Sequence, residues 1–253
     1  MKRCIGALLL VLSTLILGST PVLAWDEMAA VTNGYGTAFY YDAVDFSDVI
    51  DAYSGWNESL TSYTPYASWW KEESEYGYDD SYADDNELSL LVAHGNDNGG
   101  SWTITQIVFP NGGNLDDPDT VRLGYDSPDN DGVNIWSFFI TCNLFKDSSY
   151  PYWLDSLTGT HMLLSFKNSV VWISGDLKEL GQRLTGTGGF SQETVQGAFF
   201  STFVDNDDEA HYYNVGRILA ENDSVATYDE IDSFDTQTTV DSTKTIISCG
   251  PYY

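Results

Sequence analysis

Two short apolar runs, each ending in one reactive side chain, constrain this chain more than any other feature. Leu88-Ser89-Leu90-Leu91-Val92-Ala93 leads into His94-Gly95. Ile135-Trp136-Ser137-Phe138-Phe139-Ile140-Thr141 leads into Cys142, 48 residues after that histidine. Near-continuous apolar segments of this length, bounded by polar and Gly-rich stretches, predict strands buried on both faces of a parallel sheet. Chemistry on such sheets gathers at the carboxyl ends of the strands. The two runs therefore predict a rim where an imidazole and a thiol face each other as base and nucleophile.

The remaining segments alternate between strand and helix signals. Gly36 to Tyr41 reads as a first aromatic strand. Asp45 to Tyr53 carries Phe46, Val49, Ile50 and Tyr53 at helical spacing and reads as an amphipathic helix. Residues 54–86, rich in Tyr, Trp, Ser and acids, have no clear period and read as cover for a sheet edge or cleft. Ser101 to Val108 and Thr120 to Tyr125 alternate around Asn111-Gly112-Gly113 like a hairpin insertion. A short aromatic segment, Tyr150 to Leu157, leads into a strand at His161–Phe166. His211 to Leu219 predicts a last core strand, and Thr243 to Cys249 a short one in the tail. Ser174 and Ser191, each followed closely by an acid, predict helix N-caps. The expectation is one α/β domain over 25–253 with a mainly parallel sheet, its core at about 36–220 and a polar tail at 221–253.

The chain opens like a secretory signal over residues 1–24. Lys2 and Arg3 precede an apolar stretch from Ala7 to Leu17, and Val22-Leu23-Ala24 offers a cleavage site before Trp25. That stretch is eleven residues, short of the roughly 20 needed to span a bilayer. The expected product is secreted or held at the cell surface, without stable membrane insertion. The full chain carries a net charge of −28; without residues 1–24 it has 8 basic residues against 38 acidic. So acidic a surface repels nucleic acid and anionic lipid. Scattered through turns, the acids read as a solvated, salt-tolerant surface.

A thiol attacks a carbonyl only as the thiolate, and a free cysteine is only about 3% ionised at pH 7. His94 would supply the base, and the backbone N–H groups of Gly95 and Cys142 are candidate oxyanion donors. In an exported protein, Cys142 and Cys249 would by default form a disulfide. Against that, Cys142 ends a core run and Cys249 stands close to the chain end. His161 and His211 read as structural residues. No His-Glu-x-x-His, zinc-spaced cysteine pair, Gly-x-Ser-x-Gly elbow or phosphate loop is present, so no metal ligand set is assigned. A structural calcium has two candidate stretches, Asp126–Gly132 and Asp205–Glu209, though neither keeps the EF-hand register. Asn57-Glu-Ser59 and Asn222-Asp-Ser224 are acceptor sequons for glycosylation. Trp69, Trp70, Tyr76, Tyr78 and Tyr82 either cap the sheet or line a cleft.

The pattern of apolar strand, His-Gly, about fifty residues, apolar strand and Cys resembles the caspase and gingipain group of cysteine peptidases. The resemblance is strongest to a family of exported bacterial and archaeal proteins of unknown function that look related to that group. It extends to Trp70-Lys71-Glu72-Glu73, Tyr82-Ala83-Asp84-Asp85, Trp153 and Gly159-Thr160-His161-Met162-Leu163-Leu164-Ser165-Phe166. It covers roughly residues 36 to 220. It implies a caspase-like three-layer α/β/α sandwich, His94 as base, Cys142 as nucleophile and a protein or peptide as substrate. Two features depart from the pattern: Thr141 and Asn143 stand where this group carries very small residues, and the pentapeptide Q-A-C-[RQG]-G is absent. A non-catalytic binding module on the same fold is the alternative, and a calcium-stabilised structural domain a third reading.

Overall fold

The computed structural model describes residues 25–32, 37–72, 75–96, 105–111, 113–116, 120–124, 132–204, 211–233 and 244–250. The presumed signal (1–24) and nearly all of the two calcium candidate stretches lie outside these residues. The strands are β1 (Trp25–Val31), β2 (Trp56–Ser62), β3 (Leu88–Val92), β4 (His94–Asn96), β5 (Gln106–Val108), β6 (Asn114–Leu115), β7 (Trp136–Ile140), β8 (Met162–Phe166), β9 (Gly216–Ala220) and β10 (Thr245–Cys249). The α-helices are α1 (Thr37–Asp51), α2 (Tyr150–Trp153), α3 (Asp176–Thr185), α4 (Val195–Phe203) and α5 (Asp223–Tyr228).

Seven strands form the main sheet in the order β10-β9-β8-β7-β3-β1-β2. The five from β2 to β8 run parallel, β9 is antiparallel to β8, and β10 is antiparallel to β9. The mainly parallel α/β architecture read from the apolar runs is therefore present. Alternation within those runs explains their burial on both sides. Leu88, Leu90 and Val92 of β3 and Trp136, Phe138 and Ile140 of β7 pack with α1, α3, α4 and α5. Leu91 and Phe139 point the other way, toward Trp70, Phe109, Phe145 and Trp153. That second face is covered by α2, single 3-10 turns at Ala67–Trp70 and Asp79–Ser81, and a small antiparallel sheet β4-β5-β6. Among the described residues it lacks the long helices that a symmetrical α/β/α sandwich would place there.

Several local expectations are corrected. Residues 37–41 are the first turns of α1, not a strand. Phe39, Ala43, Phe46 and Ile50 recur at helical spacing against the core, so the period that marks the helix extends back to Thr37. The first strand is instead Trp25–Val31, so the core begins eleven residues before the expected 36. Within the unpatterned 54–86 stretch, Trp56–Ser62 forms the edge strand β2, exposed over most of its outer residues. The hairpin partner of β5 across Asn111–Gly113 is Asn114–Leu115, while Leu123 instead bridges to Leu157. Ser174 does not cap α3, because its hydroxyl donates to Asp42 of α1 at 3.1 Å and Gly175 holds the cap position. Thr194, not Ser191, caps α4 by accepting the Gly197 N–H at 3.1 Å. The last core strand starts at Gly216, five residues later than His211. The polar tail carries both α5 and β10.

Candidate active site at the carboxyl rim of the sheet

β3 and β7 are neighbours in register, with Val92 opposite Ile140. The Ala93 N–H donates to Ile140 O at 3.3 Å, so the two chains leave the sheet side by side. His94, solvent-exposed, opens β4 immediately beyond, and half-buried Cys142 follows two residues after Ile140. Gly95 shows how closely the two turns meet. A Cβ built on it would lie 1.9 Å from the Cys142 carbonyl oxygen and 3.1 Å from Thr141 Cγ2. Only a residue without a side chain lets the His94-Gly95 backbone lie against that of Cys142.

The turn after the nucleophile candidate is unusual. Asn143 has φ 58°, in the left-handed region that asparagine tolerates better than most residues. Its N–H donates to Asn168 O at 2.9 Å, and its carbonyl accepts from Thr105 Oγ1 at 2.8 Å. Thr105 is itself held by its N–H to Ser149 Oγ at 3.1 Å. Asn143, a bulky departure from the resembled pattern, thus has a backbone reason to be there.

The sulfur of Cys142 accepts the Val170 N–H at 3.4 Å and lies 3.9 Å from Val170 O. Val170 belongs to the extended segment that follows β8, the next strand along the rim. Sequence reasoning missed this segment, although the rule that picked out His94 and Cys142 also applies to the carboxyl end of β8. A cavity of about 280 Å³ opens at the segment's far end, with Ile173, Ser174, Asp176, Thr202 and His211 among its lining residues.

Both Cys142 and Cys249 are free thiols. Cys249 ends β10, three strand intervals from β7, or about 14 Å across a sheet. A disulfide needs Cα atoms within about 7 Å, so the default pairing does not form. The other two histidines are buried and paired with carboxylates. His161 Nδ1 lies 2.8 Å from Asp229 Oδ2 and His211 Nε2 lies 3.0 Å from Asp176 Oδ2, all four side chains buried. Asp229 Oδ2 also accepts Trp136 Nε1–H at 3.1 Å, which ties the starts of β7 and β8 to the end of α5. The aromatic cluster is split by burial. Trp70 is a buried plug, Trp69 and Tyr82 stack at 4.4 Å, and Tyr76 and Tyr78 are exposed. Among the described residues no group of three or more His, Cys, Asp or Glu is arranged to hold a metal ion.

Displaced carboxyl titrations occur at both rims: Asp147, five residues after Cys142, is lowered by hydrogen bonds from Lys167 and Arg217, and burial raises Asp42, which accepts from Ser174. Burial pushes the Glu27 carboxyl up to about 8, with Glu58, Asp51 and Asp48 adding to the shift; the adjacent Ser47 hydroxyl partly opposes it. Glu87 and Asp85 are raised by burial as well. Glu27 and Glu87 stand near the amino ends of β1 and β3, the rim opposite Cys142.

Fold and rim together define a mixed α/β protein with a histidine and a cysteine at the carboxyl ends of adjacent parallel strands. Sequence comparison then places it more narrowly. The chain belongs to the family described as "Domain of unknown function (DUF6345)", which matches residues 57–248, from β2 to β10. A protein of Archaeoglobus fulgidus, named only "Uncharacterized protein", is 36% identical over 239 residues, covering 89% of this chain and 87% of that one.

Proposed function

We propose that this chain is an exported cysteine peptidase of caspase- and gingipain-like type, acting through His94 and Cys142 on a protein or peptide substrate. The observation that carries the reading is the contact of the His94-Gly95 turn with the Cys142 backbone at the ends of paired parallel strands. The caspase-like character of the fold rests on that placement and on the sequence resemblance. Export rests on the signal-like residues 1–24.

In this mechanism the Cys142 thiol gives its proton to the His94 imidazole and the thiolate attacks the scissile carbonyl carbon. The carbonyl π electrons move to oxygen, and the N–H groups of Gly95 and Cys142 receive the oxyanion. The imidazolium then protonates the leaving amine as the C–N bond breaks. Water hydrolyses the thioester by the same steps and restores the thiol. The dyad needs no metal or organic cofactor.

Iodoacetamide labelling tests the reading, because the same molecule carries an exposed reference thiol in Cys249. Cys142 is expected to label at least tenfold faster than Cys249 at pH 7, and His94→Ala to remove that advantage. A peptidyl chloromethyl ketone should attach to Cys142 alone. Equal, slow labelling of both thiols, unchanged in His94→Ala, would overturn the enzyme reading in favour of a binding module on the same fold.

A further inference from the structure

We infer that two asparagines, Asn168 and Asn214, are positioning residues for the Cys142 sulfur; the inference rests on reading Cys142 as the nucleophile. The segment after β8 touches the sulfur through the backbone of Val170 alone. Nothing in an extended, unpaired segment fixes such a contact by itself. Here side-chain amides do the work of a neighbouring strand.

Asn214 is fully buried. Its Oδ1 accepts the Val171 N–H at 2.8 Å, and its Nδ2 donates to Val171 O at 2.6 Å and to Phe203 O at 2.8 Å. It therefore pairs with both backbone groups of Val171, as a strand would, and ties them to the end of α4. Asn168 closes the other end of the segment. Its Oδ1 accepts the Val215 N–H at 2.8 Å, and its Nδ2 donates to Tyr213 O at 2.5 Å. Its own carbonyl accepts the Asn143 N–H, directly after the nucleophile candidate. Val170 is thus held from both sides, and the same network reaches the residue next to Cys142.

The chemistry follows from which sulfur species the clamp favours. In the thiol, the S–H can point toward Val170 O at 3.9 Å. When the proton moves to His94, that contact has no hydrogen left to share. The Val170 N–H at 3.4 Å then becomes a donor to an anion, and a hydrogen bond to a charged group is stronger than one to a neutral group. Its benefit depends on the N–H staying aimed at the sulfur, which is what the two carboxamides secure. An aspartate at position 214 keeps the size and the acceptor but loses both donors, so only an amide meets all three bonds.

The test follows iodoacetamide labelling of Cys142 from pH 5.5 to 9.5 in the full chain, with Cys249 as internal reference. Asn214→Ala and Asn214→Asp are expected to slow Cys142 about tenfold at pH 7 and to displace its rate profile toward higher pH. Cys249 should not change. Asn168→Ala, which removes a less buried side chain, should give a smaller displacement of the same sign and serves if the Asn214 variants fail to fold. A Cys142 profile unchanged in folded Asn214 and Asn168 variants, yet still displaced by His94→Ala, would overturn the clamp and leave the dyad standing. A wild-type Cys142 no faster than Cys249 would remove the nucleophile reading, and the clamp with it.

Discussion

Two polar regions of the main sheet differ in chemistry: the surroundings of the Cys142 sulfur and the buried carboxyls of the amino rim. At the carboxyl rim, the Cys142 sulfur meets the peptide N–H and C=O of Val170, in a segment held by the carboxamides of Asn168 and Asn214. At the amino rim stand the ionisable groups Glu27, half-buried Glu87 and the buried His161–Asp229 pair, which Trp136 joins, beside a buried neutral network of Ser89, Asn134 and Ser137. Perturbed titration often marks functional sites, but structural ionisable groups perturb each other too. Geometry decides between the rims. Glu27 is fully buried, whereas the carboxyl rim presents a half-buried thiol and an exposed imidazole on adjoining turns. On the proposed reading, the amino rim holds the fold and the carboxyl rim carries the chemistry.

The largest test of that division is Asp229. Its Oδ2 serves both the His161 ring and the Trp136 indole N–H, all three side chains buried. Asp229→Ala leaves both groups buried without that partner, and breaking such a site costs about 3–5 kcal/mol. Urea unfolding should show this loss, while Cys142 in the folded fraction keeps its wild-type labelling rate. A parallel loss of labelling would mean that the rims are coupled and the division is wrong.

Glu27 gives an effect of similar size that depends on pH. Neither carboxyl oxygen has a hydrogen-bond partner of normal geometry, and Ser47 is already engaged with Thr61 at 2.9 Å. The folded carboxyl titrates at about 8 against an ordinary value of 4.5, so folding takes up a proton between those limits. Its contribution is most favourable below pH 4.5, falls as pH rises through the window, and is flat above about 8. Glu27→Gln should therefore gain stability over wild type with rising pH, by about 5 kcal/mol at most near pH 9. The check is the difference between the two stability–pH curves. A constant difference would show that Glu27 does not titrate in this window.

What could be read from sequence follows the same division. β3, β7 and β8 are legible because they are buried on both faces and write that burial as near-continuous apolar runs. β2 was not, because an edge strand with residues such as Asn57, Glu58 and Ser59 facing solvent has no apolar period to show. β1 escaped because its apolar signal, Met28-Ala29-Ala30-Val31, is short and follows Asp26-Glu27 at the presumed cleavage point. His94 and Cys142 stood out as lone reactive groups after apolar runs. Asn168 and Asn214 could not, since each is chosen by backbone groups it meets 47 and 43 residues away in the chain. Only the left-handed turn at Asn143 had a local signal, an asparagine directly after the cysteine.

Gly95 offers a smaller, sharper perturbation at the carboxyl rim. In Gly95→Ala, the new Cβ would meet the Cys142 carbonyl oxygen at 1.9 Å, a clash with backbone that a rotamer change cannot relieve. Overpacking of this kind costs about 1–3 kcal/mol. Unlike Asp229→Ala, it should also slow Cys142 labelling, because the β4 turn must move away from the thiol. Unaltered stability together with unaltered labelling would show that the two turns are not in contact in solution.

The smallest expected effect is at the surface, where charge is abundant but solvated. Lys178 of α3 reaches Asp45 of α1 at 3.2 Å, and both side chains are nearly half exposed. In a chain with a net charge of −28, each of the few cations could be thought indispensable. Exposed pairs contribute little, because water and salt screen them and both side chains give up rotamer freedom. Lys178→Ala should cost less than about 0.5 kcal/mol, and that loss should shrink in molar salt. A loss above about 1 kcal/mol that salt removes would instead show that long-range repulsion among the acids governs stability. In that case the contrast between the rims would reflect net charge, not the burial of particular carboxyls.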